Sequence, residues 1–150
     1  MIAPMEPTIR PMEVRDFGAV YELGLRSYNV TDKPYNYWSI REVADHLETN
    51  PALCFVAEAD GRVVGLLLGD ESFEIIADTA HLEWIAVDEG YRRRGIAQRL
   101  LEEGVAAAAR LGKRAVVADI AADNRYSRSL ARKLGFEEGL SVTYFTKRLP

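Results

Sequence analysis

Val87-Asp88-Glu89-Gly90-Tyr91-Arg92-Arg93-Arg94-Gly95-Ile96-Ala97 stands near the middle of the 150-residue chain, between an apolar run that ends at Val87 and a helical periodicity that begins at Ile96. A strand, a turn of small residues and then a helix leave the first helical N–H groups without intrahelical partners. Those donors, with the positive end of the helix dipole behind them, make an anion site. Arg92, Arg93 and Arg94 strengthen that expectation, because guanidinium groups pair well with phosphate. No Gly-Lys-Ser/Thr follows the glycine, and no Gly-x-Gly-x-x-Gly pattern is present, so neither a Walker-type loop nor a dinucleotide-binding turn fits.

Upstream of this turn, residues 80–87 read as a strand rich in Leu, Trp, Ile and Val. Residues 55–59 and 62–69 flank Asp60-Gly61 and predict a hairpin with a type I′ turn, and residues 70–79 form a polar connection. Nearer the N-terminus, residues 8–12 suggest a first strand. Asp16 suits the N-cap of a helix with Val20, Tyr21, Leu25 and Tyr28 on one face. Residues 29–36 are polar and contain Pro34, a loop signal. Ser39 and Glu42 form a capping-box pattern that opens a second helix carrying Ile40, Val43, Ala44 and Leu47, stopped by Asn50-Pro51.

Downstream, Ile96, Leu100, Leu101, Val105 and Ala108 mark a third helix closed by Gly112. Residues 115–121 read as a strand covered on both faces. Asp123 or Asn124 caps a fourth helix with Leu130, Ala131 and Leu134, ended by Gly135, and residues 141–149 read as a final strand. The order is β, α, α, β-β-β, α, β, α, β. An antiparallel meander that feeds a strand–helix–strand unit predicts an α/β domain with a mixed sheet and helices on its faces.

Composition narrows the function classes. A length of 150 residues suits one domain, and a hydrophobic share of 48% is ordinary for a globular chain. The net charge of -4 argues against non-specific nucleic-acid binding. Cys54 is the sole cysteine, so no internal disulfide is expected. The N-terminal residues lack a basic and apolar leader pattern, and runs such as residues 63–68 are too short to span a bilayer. The expected location is the cytoplasm, with no membrane partner.

Two blocks of residues carry a family resemblance. Arg92-Arg93-Arg94-Gly95-Ile96-Ala97 fits the R/Q-x-x-G-x-G/A signature of the GNAT superfamily of N-acetyltransferases, and Trp84-Ile85-Ala86-Val87 looks like that family's fourth strand. Asn124-Arg125-Tyr126-Ser127 and Lys133-Leu134-Gly135-Phe136 resemble its second block. The likeness covers residues 8–149 and implies the GNAT acyl-CoA N-acyltransferase fold, a central mixed six- to seven-stranded sheet flanked by about four helices. It also implies acetyl-CoA as cosubstrate, no metal, and direct transfer of an acetyl group to a primary amine of a small molecule or a peptide N-terminus. An acyl-CoA-binding module without catalysis is the alternative.

By that resemblance, the backbone N–H groups of Arg92, Arg93, Arg94, Gly95, Ile96 and Ala97 cradle the pyrophosphate. Ile85, Ala86 and Val87 hold the pantetheine arm, and the N–H groups of that strand stabilise the oxyanion. Asn124 and Ser127 complete the cofactor set, with Asn124 contacting the arm or ordering its loop. Glu83 stands four residues before Val87, where several members of the family place a carboxylate. It serves as a base for the amine or as an anion that attracts it, or it is a salt-bridged surface residue.

Many members carry a tyrosine seven residues after the Asn, to protonate the departing thiolate. Here that position is Ala131, which leaves Tyr126 or Tyr144 for the role, or no dedicated acid. Tyr144 is the one taken as a catalytic candidate. Arg125, Arg128 and Arg132 share a helical face, for CoA phosphates or for solvent. Tyr35, Tyr37 and Trp38 either line an amine pocket or pack. His46 and His81 lack metal-ligand spacing, and Cys54 is expected to pack as a small apolar residue. Asp70, Glu71 and Glu74 attract a cationic acceptor or form an ordinary polar loop. The last strands could pair across a homodimer.

Overall fold

Short, largely apolar segments separated by turn residues assemble in chain order into one sheet. The computed structural model describes residues 6–28, 35 and 37–150. Strands β1 (Thr8–Pro11), β2 (Cys54–Ala59), β3 (Arg62–Asp70), β4 (Thr79–Val87) and β5 (Ala115–Val117) lie side by side in that order. The first three pairings are antiparallel, and β4–β5 is parallel. Helices α1 (Phe17–Ser27) and α2 (Ile40–Thr49) join β1 to β2, α3 (Ile96–Arg110) crosses from β4 to β5, and α4 (Arg125–Lys133) follows.

Alternation along β2 sends Phe55, Ala57 and Ala59 to one face and Cys54 and Val56 to the other. On the first face Leu67, Leu82, Ile96, Leu100 and Leu130 complete a core under α3 and α4. On the second, Val20, Leu23, Trp38, Val43, Leu66, Leu68 and Trp84 make a core under α1 and α2. Helices on both faces cover the sheet, the arrangement that the strand–helix alternation predicts.

One irregularity shapes the centre of the sheet. Leu68 pairs with Trp84, but the next residue, Gly69, pairs with Leu82, which leaves Glu83 as an extra residue on β4. Such a bulge bends the strand and re-aims side chains. Trp84 and Ala86 therefore face the α1/α2 core, while Ala80 and Leu82 face the α3 core. Gly69 fits because the strands close tightly there: a Cβ at Gly69 would lie 3.0 Å from the His81 carbonyl oxygen and 3.2 Å from Leu53 and Leu82 side-chain atoms.

Several local expectations hold. Asp60 and Gly61 have φ of 53° and 73°, as a type I′ turn requires, and Asn124 caps α4 through a 3.1 Å bond from the Ser127 N–H. Others change. Asp16 makes no cap bond to α1; its carboxylate takes the Arg10 guanidinium at 2.7 and 2.8 Å and the Glu13 N–H at 2.8 Å. The buried face of α1 is Val20, Leu23 and Gly24, with Leu25 exposed. Ser39 caps α2 by accepting from the Glu42 N–H, but the Glu42 side chain turns inward to Trp84 and His46 rather than completing a capping box. The loop expected at residues 29–36 lies outside the described residues, Tyr35 excepted.

The sheet has five strands among the described residues, not six or seven. β5 stops at Val117, and residues 141–149 form no strand. Leu140, Val142, Tyr144, Phe145 and Leu149 are exposed, so the alternation that reads as a strand finds neither a ladder partner nor a core to cover it. Among the described residues no helix is long and apolar enough to cross a membrane.

Gly69→Ala forces its new methyl against backbone beside the bulge. It is expected to lower stability by about 1–3 kcal/mol in urea unfolding, with an unchanged far-UV spectrum.

Candidate active site

The turn after β4 is built by a side-chain cap followed by left-handed backbone. The Asp88 carboxylate accepts from the Gly90 N–H at 3.1 Å and opens a 3₁₀ turn, Glu89–Tyr91. Arg93 has φ 65° and Gly95 has φ 75°, so the chain makes two left-handed steps before α3 starts. Glycine takes that conformation without penalty, and no side chain at Gly95 caps the helix. The first N–H groups of α3 are thus left for an outside acceptor. Open space lies beside Gly95, where a Cβ would meet nothing within 4 Å. The Arg94 and Arg62 guanidinium groups sit 5.0 and 5.4 Å from the Tyr91 ring centroid, which holds positive charge at the turn.

β4 leads into that turn with a free edge. Its parallel pairing with β5 covers only Thr79, Ala80 and His81, and stops there. Ile85, Ala86 and Val87 pair with Leu67, Leu66 and Gly65 on the other side. Their second backbone edge therefore has no strand against it among the described residues. A gap between two parallel strands beside a helix N-terminus fits an extended chain that ends in phosphates, as expected for pantetheine and pyrophosphate.

Glu83 lies at the opposite end of this edge, within a cluster that the sequence does not announce. Its Oε1 accepts from the Tyr37 hydroxyl at 2.8 Å, and its Oε2 lies 3.2 Å from His46 Nε2. His46 Nε2 is also 3.1 Å from Glu42 Oε1, and its Nδ1 is 3.0 Å from the Gly69 carbonyl and 3.7 Å from Asp70 Oδ1. Glu42 Oε1 accepts from Trp84 Nε1 at 2.9 Å, and Asp70 Oδ1 accepts from Asn50 Nδ2 at 2.8 Å. On the far side, His81 Nε2 bonds to Asp119 Oδ1, just beyond β5.

Burial and proximity separate the acidities of these groups. Burial raises the Glu83 carboxyl, but its hydrogen bonds with His46, Asp70 and Tyr37 outweigh that and hold it at about 2. Burial, together with Glu83 beside it, pushes Asp70 up to about 6. Burial disfavours charge on His46, yet its bonds to Glu42 and Glu83 and the charge of Asp70 raise it to about 10. Glu42, His46 and Glu83, and likewise Asp70, His81 and Glu83, bring one donor atom each within 4.8 Å, the spacing a cation accepts. In the first group those atoms already bond to one another and to Trp84.

The remaining candidates divide. Trp38 packs between Tyr28 and Trp84 and gives its N–H to the Tyr21 carbonyl, whereas Tyr37 is half exposed and reaches Glu83. Tyr144 is exposed on the C-terminal segment and stacks on Tyr35 with ring centroids 4.8 Å apart. Tyr126 is exposed, and Ala131 is buried in the face of α4. The Asn124 side chain is engaged in capping, with Ser127 in the first turn. Arg128 and Arg132 both bind Glu138, so the basic face of α4 is a salt-bridged surface. Cys54 is buried, gives its thiol to the Asn50 carbonyl, and is pushed up to about 12, mainly by burial. His46 and His81, remote in sequence, both border Glu83.

Comparison with known proteins agrees with this geometry. The pattern of the acetyltransferase (GNAT) family matches residues 17–136, and the chain belongs to that family. An aminoglycoside N(6′)-acetyltransferase type 1 of Acinetobacter genomosp. 13 is 32% identical over 133 residues, 85% of this chain and 90% of that one. An N-alpha-acetyltransferase of Sulfurisphaera tokodaii is 32% identical over 103 residues, 63% of this chain and 62% of that one. Among solved structures, the ribosomal-protein-S18-alanine N-acetyltransferase of Escherichia coli superposes with a TM-score of 0.74 at 26% identity, covering 90% of this chain and 80% of that one. The aminoglycoside N-acetyltransferase AAC(6′)-Iy, solved with CoA, has a TM-score of 0.72 at 22% identity, a likeness of fold that covers 95% of this chain and 100% of that one. The protein is an N-acetyltransferase, and acetyl-CoA is its cosubstrate. These relatives lend no support to a non-catalytic module.

A methyl group at Gly95 disfavours the left-handed step by about 1–2 kcal/mol. Gly95→Ala is therefore expected to weaken CoA binding by about tenfold in titration calorimetry, as the N–H groups lose their common aim.

Proposed function

We propose that the acceptor is a cationic primary amine, drawn to the carboxylates of Glu83 and Asp70 at the bulge end of the open β4 edge. The observation that carries this reading is the gathering of the Glu83, Asp70 and Glu42 carboxylates around one buried histidine, His46, at 3.2, 3.7 and 3.1 Å. A lysine-like ammonium has a pKa of about 10.4 and an α-ammonium about 8, so the acceptor arrives protonated and must lose a proton. Glu83, at about 2, is a weak base and a durable anion, and its role is to attract and orient the ammonium. Asp70 is the better proton acceptor, directly or through water. The freed amine attacks the acetyl carbonyl, a C–N bond forms, the C–S bond breaks to release the CoA thiolate, and the second proton lost from nitrogen leaves through water. The N–H groups of Ile85 to Val87 stabilise the oxyanion, and the Arg92 to Ala97 turn, with Asn124 and Ser127, holds the cosubstrate.

An amine carrying several ammonium groups, as in an aminoglycoside, fits the excess of carboxylates: Glu42, Asp70, Glu83 and Asp119 surround two histidines. The aminoglycoside-modifying relatives, aligned over most of both chains, support this choice. A peptide N-terminus is the second reading, favoured by the N-alpha-acetyltransferase relative of Sulfurisphaera tokodaii. Thiol release from acetyl-CoA, measured across polyamine antibiotics and N-terminal peptides, separates the two. Transfer to neither set would remove both.

A CoA thiolate is a weakly basic leaving group, so its proton can come from water. Tyr144 and Tyr37 are the tyrosines this reading leaves for the role, and kcat of Tyr144→Phe and Tyr37→Phe distinguishes them. Exposed Leu140, Val142 and Phe145 support pairing of the C-terminal segment with a second copy, which the mass from light scattering tests. A cytoplasmic location belongs to the same reading, since the lone Cys54 is free and buried.

Glu83→Gln is expected to lower kcat/KM for the amine by about 10²-fold or more while the Kd for CoA stays unchanged. Asp70→Asn should flatten the acid limb of the kcat profile near pH 6, and an unaltered limb would exclude Asp70 as the proton acceptor.

A further inference from the structure

We propose that His46 is a positioning residue: a buried imidazolium, protonated on both nitrogens, that fixes the orientation and the charge of Glu83 from beneath. The inference rests on the role given above to Glu83. It is carried by hydrogen-bond bookkeeping. Nδ1 faces the Gly69 carbonyl at 3.0 Å, which only accepts. Nε2 faces carboxylate oxygens of Glu42 at 3.1 Å and Glu83 at 3.2 Å. A neutral imidazole would turn a lone pair toward one of these oxygen sets. A proton shared between a carboxyl and an imidazole resides on the imidazole, the stronger base. Glu42 Oε1 already accepts from Trp84 Nε1, and Glu83 Oε1 from Tyr37. Both ring nitrogens are therefore donors.

The burial of His46 gives this charge its consequence. Only 3% of the residue is exposed, so the field it exerts on Glu83 is little screened by water. The charged and titratable groups around it are Glu42 on its own helix, Asp70 on β3, Glu83 on β4, and, across Glu83, Tyr37, His81 and Asp119. One cation thus stands against three adjacent carboxylates, which leaves the cluster anionic toward the acceptor. Oε2 of Glu83 is tied to His46 and Oε1 to Tyr37, so the carboxylate can neither rotate nor pick up a proton easily.

The linkage has a definite sign. The His46 pKa is raised to about 10 in the folded protein, so its contribution to stability is complete below its unfolded value near 6.5. That contribution is lost as pH rises through about 10. Glu83, lowered to about 2, contributes above its unfolded value near 4.5 and loses that contribution as pH falls toward 2.

The test uses the full chain. Long-range ¹H–¹⁵N spectra of the wild type should show both His46 nitrogens protonated from pH 6 to pH 8.5, while an exposed histidine titrates near 6.5. A neutral His46 at pH 7.5 would overturn the proposal whether or not the variants fold. His46→Gln keeps a donor toward Glu83 but removes the charge. Loss of the cation raises both Glu83 and Asp70, so the acid limb assigned above to Asp70 is expected to move up by about 1–3 on the pH scale in kcat/KM for the amine, with the Kd for CoA unchanged. A folded His46→Gln whose pH profile superposes on that of the wild type would also overturn it. If Glu83→Gln left turnover intact while His46 stayed doubly protonated, the functional reading would fail and the charge assignment would stand.

Discussion

A single extra residue in β4 sets the geometry on which the site depends. Because Gly69 pairs with Leu82 and Leu68 with Trp84, Glu83 has no partner in the ladder and is turned, with Trp84, toward α2. Without the bulge, strict alternation would put Leu82 and Trp84 on one face and Glu83 on the other. The bulge gives each core its own apolar residues and places a carboxylate over the buried His46. Gly69 serves twice here, since it allows the close approach to His81 and supplies the carbonyl that accepts from His46.

From this point the two ends of β4 take different tasks. Toward Val87 the strand loses β5 as a neighbour and runs into left-handed steps that aim backbone donors outward. Toward His81 it keeps β5 and collects carboxylates from β3, α2 and the segment after β5. The proposed meeting of an elongated cosubstrate and an amine along one strand thus has uncapped helix donors at one end and acidic groups at the other.

Much of this was legible in the sequence and some was not, for physical reasons. The turn at Arg92 to Ala97 is readable because it is local: small residues, a strand before and a periodic helix after. The hairpin at Asp60-Gly61 and the Asn124 cap are local too, and both hold. What failed depends on partners distant in sequence. Glu42 satisfies a capping-box pattern, yet Trp84, 42 residues away, holds its side chain. Asp16 resembles a cap, but Arg10 and the Glu13 N–H bind it. Residues 141–149 alternate like a strand, and alternation alone cannot supply an edge to pair with. His46 and His81 show no metal spacing and border Glu83 only once the bulge has formed. Asp70 reads as part of an acidic loop; its raised pKa comes from burial next to Glu83, which no spacing reveals.

The left-handed steps at Arg93 and Gly95 have a thermodynamic meaning for every turnover. A loop that has to organise itself around a phosphate loses conformational entropy at each binding event. Here the unusual backbone angles are set when the protein folds, by the Asp88 turn on one side and α3 on the other. The ordering cost is met once per molecule rather than once per catalytic cycle. If this turn holds the nucleotide as proposed, the same rigidity leaves more of the intrinsic affinity available to hold the thioester still while the amine approaches.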